Sequence, residues 1–168
     1  MKLADVNALD EAQFVAMLGG VFEHSPWVAQ RAAAQRPFAS VAALHAAMTG
    51  VVARAGEDEQ VTLLRAHPEL AGRAAIRGEL SADSTSEQSG AGLTACSPEE
   101  YAALTDLNRR YNATFGFPFI LAVKGYDRAG VIREFARRVG HDRATELAEC
   151  LAQVARIARF RLDALITD

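Results

Sequence analysis

Three side chains in this sequence have types and settings suited to chemistry on a small polar molecule. His67 stands in "LLRAHPELAGR", at the point where a helix-like run meets Pro68. An imidazole is the side chain whose ordinary pKa lies nearest neutrality, which suits it to proton transfer. Pro68 restricts the backbone beside it and so helps to fix the ring. His67 can instead bond the last carbonyls of the helix it ends. Glu87 and Gln88 follow in "SADSTSEQSGAGL", a carboxylate beside an amide that both donates and accepts. Ser84 and Glu87 have the spacing of a capping box, with Ser84 as N-cap. A helix start there presents free N–H groups and a positive dipole end to an anionic or carbonyl-rich ligand. Arg161 falls on the apolar stripe of the C-terminal segment, with Leu147, Leu151, Val154, Ala158 and Leu165. A guanidinium keeps its charge, so a core-facing one needs a carboxylate, a carbonyl or a ligand. A structural carboxylate and a substrate both satisfy that need.

The elements that position these residues are helices. Phe14, Met17, Leu18, Val21 and Phe22 recur at helical spacing. Ser25 and Pro26 suit an N-cap and first helical position. Ser40 opens a helix striped by Val41, Leu44, Met48 and Val51, and a shorter one follows from Glu57 to Arg65. Ser97, Pro98 and Glu100 write a capping box, and Gly116 ends that helix. Two further helical segments, "DRAGVIREFARRVG" and "HDRATELAECLAQVARIARFRLDALI", complete the chain. From Gly72 to Gly92 the composition turns polar, and a long loop is expected. The run "FPFILAV" reads as an apolar, non-helical connector packed into the core, because Phe117 precedes a proline. The expected fold is all-α, a single-domain helical bundle over residues 1–168 with one long polar loop and this connector.

Composition narrows the classes further. The chain has 168 residues, half of them apolar and 23% charged, with a net charge of −3. That describes a globular domain able to bury a pocket, without the basic excess of a nucleic-acid binder. The densest apolar run is too short to span a bilayer, so no membrane partner is expected. The N-terminus lacks the apolar segment of a secretory signal. Cys96 and Cys150 are far apart without a CxxC spacing, as expected of reduced thiols in a cytoplasmic protein. No His-x-x-x-His pattern, phosphate loop or G-x-S-x-G elbow occurs, so no metal site or familiar nucleophile is predicted.

The ordered set "HPELAGR", "STSEQSGAGL", "NATFGFPFILAVKG" and "ARFRLDAL" resembles the OHCU decarboxylases, which act on 2-oxo-4-hydroxy-4-carboxy-5-ureidoimidazoline in urate breakdown. The earlier "GVFEHSPWVAQRA" and "RPF" extend the resemblance over nearly the whole chain. It implies an all-helical, cofactor-free, commonly dimeric enzyme that forms (S)-allantoin with loss of carbon dioxide. It assigns catalysis to His67 and Glu87. Substrate binding falls to Pro68, Ser84, Gln88, Arg161 and main-chain groups around Phe119 and Ile120. A small ureide substrate, a homodimer and a cytoplasmic location are the corresponding expectations. The competing readings are a non-catalytic helical module for a small anion or ureide, a helical adaptor, and a hydrolase acting on another ureide.

Overall fold

A computed structural model describes the backbone of all 168 residues and every side chain but that of Ala74. The described residues form helices without named strands, apart from one parallel bridge between Lys2 and Thr167. They divide into two compact units, Met1–Ala66 with Val154–Asp168, and His67–Gln153. None of the described helices is long and apolar enough to cross a membrane.

The first unit contains α1 (Leu3–Ala8), α2 (Glu11–Leu18), α3 (Trp27–Ala33), α4 (Val41–Arg54), α5 (Glu57–Arg65) and the C-terminal part of α10 (Arg143–Leu165). Local chemistry sets several boundaries. The Ser40 hydroxyl accepts the Ala43 N–H at 3.0 Å to start α4, as its sequence predicts. The opening of α3 lies one residue beyond the expected place. Pro26 is its N-cap, while the Ser25 hydroxyl donates to the Glu23 carbonyl at 3.1 Å instead of capping. Phe14, Leu18, Val28, Leu44, Met48 and Leu162 are fully buried, so apolar faces carry this unit. The two chain ends are tied together: Leu3 N–H donates to Thr167 O at 2.8 Å, and Val41 N–H to the Asp168 carboxylate at 2.7 Å.

The second unit contains α6 (Arg73–Ile76), α7 (Ala82–Gly90), a 3-10 turn (Leu93–Ala95), α8 (Pro98–Phe115), α9 (Arg128–Arg138) and the N-terminal part of α10. The expected long loop over 72–92 is corrected here, since α6 and α7 occupy much of it. Their short polar sequences carry little periodicity, which hid them. Both ends of α8 follow expectation. Ser97 and Glu100 close the capping box, and Gly116 takes φ 77°, a conformation that suits glycine. Phe117–Val123 is non-helical and buried throughout. The Phe119 and Phe135 rings stack at 3.9 Å, and Tyr111 meets them edge-on at 5.5 and 5.7 Å.

The buried side of α10 differs from the predicted stripe. Val154, Ala158 and Arg161 are buried, but Leu147 and Leu151 are only half-buried and Leu165 is exposed. Glu146, Cys150 and Gln153 take the buried positions along its N-terminal part. Hydrophobicity alone does not reveal such polar residues, because specific partners make their burial tolerable.

Candidate active site

The His-Pro turn is built by termination and then by anchoring. Helix α5 ends at Arg65, and the chain turns through His67 and Pro68 into Glu69–Gly72. His67 is buried, with 7% of its surface exposed. Ala71 has φ 50°, a left-handed conformation that disfavours a residue with a Cβ by about 1–2 kcal/mol. Three amide side chains hold this turn. Gln88 Oε1 accepts the Ala71 N–H at 2.9 Å, and Gln88 Nε2 donates to the Glu69 carbonyl at 3.3 Å. Asn108 Nδ2 donates to the Leu70 carbonyl at 3.0 Å, and Asn112 Nδ2 to the Glu69 carboxylate at 2.7 Å. Gly72 supplies close approach, since a Cβ there would lie 2.7 Å from Glu69 Cβ and 3.0 Å from Glu69 Oε2.

Helix α7 carries Ser84, Glu87 and Gln88. Its N-cap is Ser81, whose hydroxyl accepts the Ser84 N–H at 3.2 Å, so the assignment of Ser84 as cap is corrected. The serines at 81, 84 and 86 make the local pattern ambiguous, and the earlier register wins. Glu87 therefore lies beyond the first turn, where the free N–H groups and the dipole end no longer act on it. The earlier start also puts Ser84 and Gln88, one helical turn apart, on the same buried side, with Glu87 half-buried beside them. Gln88 joins α7 directly to the turn that carries His67 and Pro68.

Phe119 and Ile120 belong to the same unit and are buried. Arg138 Nη1 donates to the Ile120 carbonyl at 2.8 Å, and the Ala122 N–H donates to Gln153 Oε1 at 3.0 Å. The backbone groups of a non-helical buried segment need partners, and these side chains supply them. Arg138 is itself neutralised by Glu146, with Nη2–Oε2 at 2.9 Å and both residues fully buried. Burial is the largest single influence and opposes the Arg138 charge, but the hydrogen bonds it donates to Glu146, together with the fields of Cys150, Glu146 and Tyr111, leave the guanidinium pKa raised. Tyr111 Oη also donates to Glu146, and burial above all drives the phenol pKa far upward.

Arg161 belongs to the first unit. Its Nη1 lies 2.7 Å from Glu23 Oε2, with the Gly20 and Val21 carbonyls at 3.3 and 3.5 Å. The core-facing guanidinium thus has the carboxylate and carbonyl partners its burial requires. Glu23 was invisible to sequence reasoning, as were Asn108, Asn112, Arg138 and Glu146. The only hint was an acid inside the apolar run "GVFEH". A cleft of about 440 Å³ lies beside the turn, lined among others by Glu69, Ala71, Arg73, Tyr101 and Asn108, and includes none of the predicted site residues. Among the described residues, no cluster of three or more His, Cys, Asp or Glu could hold a metal ion.

The chain is 41% identical to the 2-oxo-4-hydroxy-4-carboxy-5-ureidoimidazoline decarboxylase of Haloferax volcanii over 162 residues, 96% of this chain and 94% of that one. It is 42% identical over 164 residues to the uric acid degradation bifunctional protein PucL of Bacillus subtilis, covering 98% of this chain but 32% of that longer protein. Among solved structures, that of an (S)-allantoin synthase superposes with a TM-score of 0.79 at 28% identity, covering 99% of this chain and 54% of the other. The family profile described as OHCU decarboxylase matches residues 7–163, which takes in the His-Pro turn, α7, the connector and Arg161. The chain belongs to the OHCU decarboxylase family.

Proposed function

We propose that this chain decarboxylates 2-oxo-4-hydroxy-4-carboxy-5-ureidoimidazoline to (S)-allantoin, with His67 and Glu87 as its acid–base pair. One observation supports the assignment most. The buried amide of Gln88 bonds both Glu69 and Ala71, so the elements bearing His67 and Glu87 are locked to one another. Acid–base groups act efficiently only when held within hydrogen-bond reach of the reacting atoms, and a rigid mount serves that need.

The reaction breaks the bond between ring carbon C4 and its carboxylate, and carbon dioxide departs. The electron pair left behind passes into the adjacent ring C=N system, so the substrate supplies its own electron sink. Many decarboxylations borrow that sink from a cofactor, whereas this one requires none. The C4 hydroxyl then loses its proton as a carbonyl forms, the neighbouring ring carbon gains one, and the ring nitrogen that received the electron pair takes another from water. In the proposal, His67 and Glu87 share the first two of these transfers, and delivery to a single face makes the product (S). Groups of this kind contribute on the order of 10²–10⁴-fold each.

Ser84, Pro68 and the second N–H of Gln88 are assigned to substrate binding, together with main-chain groups of the Phe119–Ile120 segment. Arg161 is assigned to the ureido or ring carbonyl, where negative charge accumulates. A tight clamp on the departing carboxylate would stabilise the ground state and slow the reaction. The working form is taken to be a cytoplasmic, cofactor-free homodimer acting on a small ureide. To test the function, the substrate is generated in situ from urate and optically active allantoin is followed by circular dichroism. Acceleration over the spontaneous reaction with a single product hand supports the proposal. A rate equal to the spontaneous one refutes it.

A further inference from the structure

The connector Phe117–Val123 is held by a buried polar cluster to which neither the proposed proton transfers nor the substrate contacts assign a part. Arg138, at 0% exposure, donates to the Ile120 carbonyl at 2.8 Å and to Cys150 Sγ at 3.3 Å. Glu146, also fully buried, binds that guanidinium and accepts from Tyr111 Oη and from His141 Nδ1, the latter at 2.8 Å. On its other side the His141 ring faces Arg137 Nη1 at 3.2 Å. A guanidinium N–H can only donate, so His141 Nε2 accepts and Nδ1 carries the proton that goes to Glu146. Burial pushes the Cys150 thiol pKa up, opposed by the Tyr111 hydroxyl, Arg138 and the Ile120 N–H. The Ile120 carbonyl therefore faces this cluster, held by the Arg138 guanidinium.

Peptide geometry carries that fact outward. The bonds on either side of Ile120 are trans, since the one cis bond lies at Arg36–Pro37. In a trans peptide the C=O and the following N–H point in opposite directions. Anchoring the Ile120 carbonyl to Arg138 turns the Leu121 N–H away from the cluster. The opposite edge of the segment thus presents the Leu121 N–H in fixed register, a donor suited to a carbonyl oxygen of a ureide. The Arg138 guanidinium also lies 4.4 Å from the centre of the Phe119 ring, so one residue aligns both main chain and side chain. Such alignment is valuable because small displacements of binding groups are costly in rate.

We propose that Arg138, with Glu146 and Cys150 behind it, is a positioning residue that sets the Phe119–Leu121 main chain to recognise the ureide substrate. This rests on the decarboxylase reading and on the connector's role in binding. The test compares Cys150→Ala, which removes an acceptor of the Arg138 guanidinium, with Cys150→Ser, which restores one of similar size. Arg138→Lys, which keeps the charge but loses the fork, is the third variant. All are confirmed folded by helical circular dichroism before kinetics. Expected are a KM raised about fivefold in Cys150→Ala with kcat changed less than twofold, and recovery to within twofold of wild type in Cys150→Ser. Arg138→Lys should raise KM at least tenfold. Folded Cys150→Ala and Arg138→Lys enzymes with wild-type KM would overturn the inference, as would a Cys150→Ser enzyme no better than Cys150→Ala. Should Arg138→Lys fail to fold, the cysteine pair decides alone. Wild type is assayed alongside, so absence of turnover there counts against the decarboxylase reading, whereas unchanged variants of an active enzyme count against the positioning role only.

Discussion

Replacing Gln88 by Leu removes both hydrogen bonds of its amide while roughly preserving side-chain volume. The Ala71 N–H, at 2.9 Å from Oε1, belongs to a buried residue, and leaving it unpaired costs about 1–3 kcal/mol. The bond to the Glu69 carbonyl is longer at 3.3 Å and half-buried, so water replaces it and its loss adds about 0.5 kcal/mol. Ala71 gives part of this back by relaxing from φ 50° once its N–H is released. The sum is a destabilisation of about 1–3 kcal/mol, read by urea unfolding followed by helical circular dichroism. Gln88→Glu keeps the acceptor but presents no donor to the Glu69 carbonyl, and should fall between wild type and the Leu variant. Because the same turn carries His67, kcat/KM of the Leu variant should drop about 10²-fold even under conditions where it is folded. A Leu variant within 0.5 kcal/mol of wild type would refute the claim that this amide locks the turn to α7.

Alkaline pH should destabilise the fold through the buried cluster. Cys150 and Tyr111 are both raised, chiefly by burial, from ordinary values of 9.0 and 10.0. The folded state keeps these protons while the unfolded chain releases them, so stability is intact below about pH 9 and declines above it. Tyr111→Phe should flatten the part of the decline above pH 10 in urea midpoints, and an unaltered slope would contradict the assignment. Gly72→Ala should cost about 1–3 kcal/mol by crowding Glu69, measured as a lowered urea midpoint, because Asn112 pins that side chain. Glu23→Gln removes the carboxylate charge 2.7 Å from the buried Arg161 guanidinium and should destabilise by about 3 kcal/mol in the same assay, a neutral result counting against the pairing.

Much of the helical framework was legible because its signals are local. Ser40 caps α4, Ser97, Pro98 and Glu100 open α8, and Gly116 closes it, each within four residues of the element it defines. Helix α7 was misplaced by one turn because three serines offer competing caps, and only tertiary burial of Ser84 and Gln88 selects among them. The need of Arg161 for a polar partner was readable from its place on an apolar stripe, but its partner Glu23 is 138 positions away. Adjacent arginines show the same limit. Arg137 pairs with Glu134 on the surface at helical spacing, a local rule, whereas Arg138 is fully buried against Glu146 and Ile120. Sequence spacing cannot distinguish two such neighbours, since contacts between elements decide which one is inside.

Acid–base catalysis by His67 is tested most directly by the rate and handedness of allantoin formed from freshly generated substrate by wild type and by His67→Asn. Wild type should give (S)-allantoin rapidly. The Asn variant, which keeps a polar group of similar reach but cannot exchange the proton, should lose on the order of 10²–10⁴-fold in rate. Its product should approach the racemic outcome of the spontaneous reaction. A His67→Asn enzyme that makes (S)-allantoin at the wild-type rate would contradict the account.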